Sequence, residues 1–284
     1  MSTTDQEKKV ILGLLGSPRK LGNCEIIVKE ICRQIPEPHE LRLVSLPRKK
    51  IRPCRGCYAC LEEGNCPLDD DFVAVREQLE AADAVIIASP AYFLGQNGSL
   101  KMFLDRCLQL YGGGVDLHRK PAINVVTMGL ENGAGYAEMA LNSFTAILGL
   151  QLVASEVFYG ALPGECLWQR PEQQERVRRL GECLFAGRPR AIREWCCNQC
   201  GADTFQLLGG DQVQCAVCQS QGRLQLADGR LRPEMQPPAE SIFMTPEQAR
   251  RHVAWLQGMK QRFLEVRRQL GEFQRQYADE GEWY

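Results

Sequence analysis

The stretch VILGLLGSPRKLGNCEIIVKEICRQ, residues 10–34, decides the fold of this chain. It begins with a continuous apolar run at 10–15, which is typical of a strand buried on both faces of a sheet. A loop containing Gly16 and Gly22 follows and opens directly into a predicted helix at 25–34. The two glycines permit tight turns, and the free N–H groups of the helix point towards the loop. This strand–loop–helix unit therefore suits the binding of a single terminal phosphate.

The same alternation of apolar runs and amphipathic patterns continues to about residue 186. It predicts further strands at 40–45, 84–89, 122–128 and 151–158, and further helices at 71–82, 99–111, 136–148 and 171–185. Apolar strands joined by helices form a parallel sheet that is covered on both faces. We therefore predict an α/β domain over residues 1–190, a flavodoxin-like, doubly wound, five-stranded parallel sheet that binds its ligand at the carboxyl ends of the strands.

Composition excludes several classes of function. The 34 basic and 35 acidic side chains of this 284-residue chain leave a net charge of −1, so neither nucleic acid nor a membrane is expected as a partner. The N-terminus is polar and its first apolar run is short, which fits no signal peptide or membrane span. Fourteen cysteines without such a signal indicate a reducing compartment, and we predict the cytoplasm. The three histidines are scattered, and no constellation for hydrolysis is present.

A compact cysteine motif, CRGCYACLEEGNC, occupies residues 54–66. Its C-x2-C-x2-C-x5-C spacing joins Cys54, Cys57, Cys60 and Cys66. Such thiolates can surround one [4Fe–4S] cluster, whose iron ions prefer soft sulfur ligands. A loop of reduced thiols without metal, a zinc site and a redox disulfide remain alternatives. Three aspartates follow at 69–71, and we interpret them as a helix cap rather than a metal site.

A second cysteine pattern lies in residues 191–232, which we predict to be a small β module. Cys197, Cys200, Cys215 and Cys218 follow the spacing C-x2-C-x14-C-x2-C. Two knuckles of this kind present four sulfurs tetrahedrally and hold together a segment too small for its own core. The pattern therefore predicts a zinc ribbon, or a rubredoxin-like site with one iron. The module is poor in basic residues, which disfavours nucleic-acid contact.

The last segment, 233–284, is predicted to be a linker and an amphipathic helix. Thr245 caps its start, and Pro246 takes the first helical position. Apolar residues then recur at heptad-like spacing as far as Tyr277, which suits a coiled coil with another subunit or packing against the chain's own body. We expect this helix to fix an oligomer or to dock the ribbon.

Two further loops lie at carboxyl ends of predicted strands. The first, SPAYFLGQNGSLK at 89–101, is aromatic and contains glycine, and the second, TMGLENGAGY at 127–136, is rich in glycine. Loops of this kind can lie beside a flat ring and present backbone N–H groups to it. Core anchoring is the alternative role for their aromatic side chains.

Together these motifs resemble the NAD(P)H-dependent FMN reductases of the flavodoxin-like superfamily, and most of all the iron–sulfur flavoproteins. The likeness rests on GSPRK with GN at 16–23, the cysteine motif at 54–66, SPAYF at 89–93 and LKMFLDR at 100–106, and it covers residues 8–185. It implies FMN held through its phosphate by the first loop and around its ring by the other two. The implied cofactor-binding residues are Ser17, Arg19, Gly22, Asn23, Cys24, Pro90, Ala91, Tyr92, Phe93, Gly95, Thr127, Gly129 and Gly133. Cys24 departs from the family, which usually has Thr or Ser there.

The resemblance also implies a function. The chain is expected to accept hydride from NAD(P)H, with the flavin carrying the chemistry and no catalytic side chain required. The [4Fe–4S] cluster would pass electrons to ferredoxin, a quinone or oxygen. A homodimer or homotetramer is expected, with the cysteine loop close to a flavin. The alternatives are a cluster-free NAD(P)H:quinone or FMN reductase, and a redox-sensing adaptor that binds a partner through its zinc ribbon.

Overall fold

The main sheet has the predicted topology. The computed structural model describes residues 8–112, 116–187, 192–237, 245–278 and 280. Its parallel strands are β1 (Lys9–Leu15), β2 (His39–Ser45), β3 (Ala84–Tyr92), β5 (Pro121–Met128) and β6 (Gln151–Tyr159), and the short β4 (Gly95–Gln96) pairs antiparallel with β3. Their order is β2-β1-β3-β5-β6. This is the flavodoxin order, with its ligand crevice between β1 and β3, so the predicted fold is confirmed.

Helices cover both faces of this sheet. They are α1 (Asn23–Arg33), α3 (Phe72–Ala81), α4 (Gly98–Leu104), α5 (Leu108–Gly112), α6 (Ala137–Ile147) and α7 (Pro171–Cys183), while the short α2 (Ala59–Glu62) lies in the cysteine loop and packs against α5. Alternate strand residues enter opposite cores: Ile11 packs with α1 and α7, whereas Leu12 packs with α3, α4 and α6. Because both faces are buried, the strands are apolar without interruption.

The structure corrects one predicted helix. The pattern at 99–111 predicted a single helix, but α4 ends at Leu104 and α5 begins at Leu108. Between them the backbone N–H groups of Arg106 and Cys107 donate to the carbonyls of Phe103 and Leu104, which are turn-like bonds three residues apart. This break turns the Arg106 side chain towards the cysteine loop.

The cysteine-paired segment forms a second, antiparallel sheet. Its strands are β7 (Phe205–Gly209), β8 (Gln212–Cys215), β9 (Gln221–Ala227) and β10 (Arg230–Met235), in the order β10-β9-β8-β7. β10 crosses the predicted boundary between 232 and 233. The core consists of three of the paired cysteines with a few apolar neighbours such as Val213 and Met235. The module thus has only a small apolar core of its own.

The C-terminal helix is α8 (Pro246–Gln274), and the Thr245 side chain accepts from the Gln248 N–H as its cap. None of its residues is buried. It lies against the cysteine loop, where the Gln257 side chain donates to the Leu61 carbonyl at 3.3 Å and Lys260 pairs with Glu62. The interpretation as packing against the chain's own body is thus confirmed at this contact. Among the described residues, no helix is long and apolar enough to cross a membrane.

Candidate functional site

The loop after β1 forms one wall of a cleft at the carboxyl edge. Neighbouring groups hold it from outside: Arg48 donates to the Pro18 carbonyl at 2.6 Å, and the Ser45 hydroxyl donates to the Ser17 carbonyl at 2.8 Å. α1 begins directly after Gly22 with no side-chain cap. The N–H groups of its first turn are therefore available to an anion, and the dipole of the helix favours negative charge there.

Asn23 has a role that the sequence did not predict. Its side-chain nitrogen donates to the Gly160 carbonyl at 2.9 Å, and its side-chain oxygen accepts from the Cys166 N–H at 3.4 Å. The Asn23 side chain thus joins the loop after β1 to the loop after β6. The Asn23 side chain therefore holds the loop after β1 in place as a wall of the cleft. Its backbone N–H is one of the free N–H groups in the first turn of α1.

Cys24 lies deeper, between two loops of the cleft. Its sulfur is 3.3 Å from the Thr127 hydroxyl, and only 2% of the residue is exposed. Burial raises the pKa of the Cys24 thiol to about 11, against the opposing effect of the Thr127 hydrogen bond. Cys24 is therefore a neutral thiol at physiological pH and supplies less hydrogen bonding than a hydroxyl would.

The loop after β3 is a tight hairpin with a strained tip. Ala91 pairs with Gln96 and Tyr92 pairs with Gly95, while Phe93 and Leu94 at the tip have φ values of 48° and 68°. Left-handed backbone at non-glycine residues costs about 1–3 kcal/mol each and is concentrated at ligand sites. The Phe93 side chain is fully exposed. This strain is a functional signal that the sequence pattern did not carry.

The glycine-rich loop after β5 packs directly on that hairpin. The Tyr136 N–H donates to the Leu94 carbonyl at 2.8 Å. Gly135 has a φ of 57°, and a Cβ there would lie 2.5 Å from the same carbonyl oxygen. Only glycine fits this approach, so the two loops predicted to surround a ring are held together by their backbones.

Most of the predicted cofactor residues line one cleft. Those that do are Ser17, Arg19, Asn23, Cys24, Pro90, Ala91, Tyr92, Thr127 and Gly129. Gly22, Phe93, Gly95 and Gly133 lie in the same loops but outside the lining. Met128, Gly160 and Ala161 complete the lining and were missed. The signal available for Gly160 and Ala161 was their position directly after the fifth parallel strand, at the same edge of the sheet.

The cysteine loop is partly exposed, and its end is anchored in the core. Cys54 and Cys57 are exposed, whereas Cys60 and Cys66 are half-buried. Burial, followed by the charges of Cys66, Cys54 and Cys57, raises the pKa of the Cys60 thiol, so each of these three cysteines lies near Cys60. Four soft thiols on one short loop are the donor set that iron–sulfur clusters require, so this loop fits such a group.

A buried ion pair lies behind the last cysteine of this loop. Nη1 of Arg106 lies 2.8 Å from Oδ2 of Asp70, and each side chain is 1% exposed. Asp70 also accepts from the backbone N–H groups of Arg52 at 2.8 Å and Phe72 at 3.1 Å. Burial alone would raise the pKa of Asp70, but these donors outweigh it and hold that pKa below its usual value. Asp70 thus accepts from the first N–H of α3, as the capping interpretation predicted, whereas Asp71, at the N-cap position, makes no side-chain cap bond and accepts from the Lys50 N–H instead.

The ribbon cysteines form a compact group. The sulfur of Cys197 lies 3.6 Å from that of Cys218, the sulfur of Cys200 lies 3.6 Å from that of Cys215, and all four lie within 4.8 Å of one another. In a tetrahedral site with Zn–S bonds of about 2.3 Å, the sulfurs are about 3.8 Å apart. The group therefore has the dimensions of a single-metal site. Within the described parts of the chain, no other set of three or more cysteine, histidine, aspartate or glutamate side chains has its ligand atoms so close together.

Comparisons with known proteins agree with this geometry. The family model described as NADPH-dependent FMN reductase matches residues 10–161. An iron–sulfur flavoprotein of Methanocaldococcus jannaschii is 41% identical over 97 residues, which cover 34% of this chain and 50% of that protein, so the match spans half its length. Another, from Archaeoglobus fulgidus, is 32% identical over 177 residues, covering 58% of this chain and 86% of that protein.

Among solved structures, one titled flavone reductase matches with a TM-score of 0.75 at 16% sequence identity. The match covers 97% of this chain and 99% of that chain. At this identity the likeness shows the fold alone. It extends over the ribbon and the C-terminal helix, which lie outside the family model.

Proposed function

Because the chain belongs to the NADPH-dependent FMN reductase family, we propose that this oxidoreductase binds FMN in the cleft at the carboxyl edge and accepts hydride from NAD(P)H. The observation that carries this proposal is the convergence of Ser17, Arg19 and the uncapped start of α1 with the strained loop after β3. FMN supplies, when bound, the ring that accepts hydride, and the protein supplies position and electrostatics.

Different residues of the chain would bind the phosphate and the ring of FMN. Arg19, the Ser17 hydroxyl and the first-turn N–H groups of α1 would hold the phosphate by charge-assisted hydrogen bonds. The backbones of Ala91, Tyr92 and Gly129, which line the cleft, would lie along the ring. Gly135 keeps the two ring loops together and so fixes the width of the cleft.

We propose further that Cys54, Cys57, Cys60 and Cys66 hold a [4Fe–4S] cluster. The iron–sulfur flavoproteins among the relatives and the soft donor set support this assignment. The cluster would allow delivery of single electrons to ferredoxin, a quinone or oxygen. A cluster-free reductase is the competing enzyme, and iron and sulfide analysis of protein purified anaerobically distinguishes the two.

Cys57→Ser tests the cluster assignment. Because Cys57 is exposed and the cleft is formed by other loops, this variant should lose the cluster iron and keep FMN. Cys183→Ser, on α7, is the matched control and should keep both. An unchanged iron content in Cys57→Ser would contradict the assignment.

The ribbon is proposed to bind one metal ion, zinc in preference to iron, through Cys197, Cys200, Cys215 and Cys218. Its role is structural, because three of the four sulfur residues are buried in the small core that they form. A ribbon-bearing redox adaptor is the competing, non-enzymatic function. NADPH oxidation by the purified chain decides against the adaptor, and its absence in FMN-loaded protein decides for it.

A homodimer or homotetramer in the cytoplasm is the proposed state. Exposed apolar side chains on the loops at the carboxyl edge, such as Phe93, Leu130 and Trp168, support association there. All fourteen cysteines lie within the described residues and none of them forms a disulfide, which supports a reducing compartment. Sedimentation of the full chain with and without FMN measures the association state.

Arg19→Ala, with the adjacent Lys20→Ala as its control, tests the FMN site. Loss of one charge-assisted hydrogen bond, worth about 1.5–3 kcal/mol, should raise the FMN Kd about 10- to 150-fold. Lys20 is exposed and does not line the cleft, so its variant should bind FMN as the wild type does. Equal Kd values for the two variants would overturn the assignment of the phosphate site.

A further inference from the structure

Arg106 occupies the turn between α4 and α5 and is 3% exposed. Its Nη1 donates to Asp70 and to the Arg52 carbonyl, and its guanidinium carbon lies 4.6 Å from the centre of the Phe72 ring. Its Nε–H is also buried, but has no hydrogen-bond partner among the residues that the structure describes. A buried donor without a partner is unfavourable, so we expect the Arg106 Nε–H to donate to an acceptor in the functional state of the protein.

The neighbour that can supply this acceptor is Cys66. The Arg106 guanidinium group interacts most strongly with Asp70 and, beyond that, with Cys66 through both charge and hydrogen bonding. Cys66 is therefore close enough to the guanidinium group to interact with it. In its thiolate form, the sulfur of Cys66 would be the acceptor that the buried N–H lacks.

A second buried side chain from the same segment supports the same part of the loop. Gln109 is fully buried, and its Nε2 donates to the Asn65 side chain at 3.3 Å and to the Gly64 carbonyl at 3.5 Å. These are the two residues before Cys66. The break between α4 and α5 thus directs two polar side chains at one end of the cysteine loop, the end that carries the fourth sulfur.

We propose that Arg106 is a positioning residue for the fourth cluster ligand: its guanidinium group donates to the Cys66 sulfur and raises the reduction potential of the cluster. This inference rests on the proposed [4Fe–4S] site. Hydrogen bonds to cluster sulfurs and the local net charge set such potentials, because they stabilise the additional electron of the reduced state. Asp70 is the counter-charge that moderates the effect.

The test is a redox titration of the anaerobically purified full chain, with dithionite as the one-electron donor and the cluster followed by electron paramagnetic resonance. Arg106→Gln removes the charge and the N–H donor. The ratio of reduced to oxidised cluster at a fixed potential should fall about tenfold, which is about 59 mV for a one-electron couple. Arg106→Lys keeps the charge and should recover part of this shift.

Asp70→Asn distinguishes this role from a merely structural one. It removes the counter-charge while keeping an oxygen acceptor for the backbone donors, so the potential should rise. Loosening of the loop would instead lower the iron content of both variants and would not move their potentials in opposite directions. If Arg106→Gln does not fold, the sign of the Asp70→Asn shift still decides.

Arg176→Gln is the matched control. Its guanidinium carbon lies 4.7 Å from the centre of the Phe158 ring and it pairs with Glu156, so it repeats the contacts of Arg106 away from the cysteine loop. This control should leave the potential unchanged. An Arg106→Gln variant with full iron content and the potential of the control would overturn the inference and leave the cluster in place. An iron-free wild type would instead overturn the cluster assignment and the inference with it.

Discussion

Replacing Gly135 with Ala should separate the two loops that are proposed to hold the flavin ring. The residue has a φ of 57°, and a Cβ would overlap the Leu94 Cβ and lie 2.5 Å from the Leu94 carbonyl oxygen. Left-handed backbone costs an alanine about 1–2 kcal/mol, and overpacking against backbone adds about 1–3 kcal/mol. The FMN-free protein can relieve this strain by opening the loops, but binding requires them together.

The penalty should therefore appear mainly in FMN affinity. If about 1.4–2.8 kcal/mol of it is incurred on binding, the Kd rises about 10- to 100-fold. Quenching of FMN fluorescence measures the Kd. Thermal unfolding of the FMN-free protein measures the part of the strain energy that destabilises the fold itself. Gly98→Ala is the control, because a Cβ there meets no atom within 4 Å and its φ is not left-handed. A Gly135→Ala protein with the wild-type Kd would refute the argument that this close approach shapes the cleft.

Three further predictions follow from single contacts. Cys24→Ser should strengthen FMN binding by about 0.5–1.5 kcal/mol in a Kd measurement, because a hydroxyl donates better than a neutral thiol beside Thr127; weaker binding would contradict this. Gly222→Ala should release the ribbon metal, since a Cβ there overlaps the Glu234 carbonyl oxygen; metal analysis after gel filtration checks it, and full retention would count against it. Asp70→Asn should lower the free energy of unfolding by about 3 kcal/mol at neutral pH. Because the folded-state pKa of Asp70 is below its ordinary value of 3.8, this stability is present above that value and is lost as pH falls through the folded-state pKa; denaturant unfolding as a function of pH should show the difference between variant and wild type shrinking in acid.

The parallel sheet and its functional edge could be predicted from the sequence because each depends on local patterns. Apolar runs without polar interruption identify strands buried on both faces, and the loops that follow them must meet at one edge. The pattern thus placed the loops after β1, β3 and β5 at one edge of the sheet, and the family resemblance implied that they hold one ligand.

The contacts that could not be predicted join residues distant in the chain. The helix at 99–111 breaks where Arg106 turns to Asp70, 36 residues earlier. Asn23 was assigned to a phosphate, but its side chain bonds the Gly160 carbonyl, 137 residues away. For α8 the pattern left a coiled coil and packing against the chain's own body open, and the observed contacts with the cysteine loop depend on Gln257 and Lys260. Helical periodicity identifies an apolar face but not the surface that it contacts.

An anaerobic titration of the full chain with NADPH, following the flavin absorbance, tests the central claim most directly. We expect yellow protein that releases about one FMN per chain on denaturation and whose flavin is bleached by about one equivalent of NADPH, with the phosphate held at the start of α1. Cys57→Ser should be bleached equally, because the cleft is formed by other loops. Colourless protein that binds no added FMN, or bound FMN that NADPH does not reduce, would contradict the account.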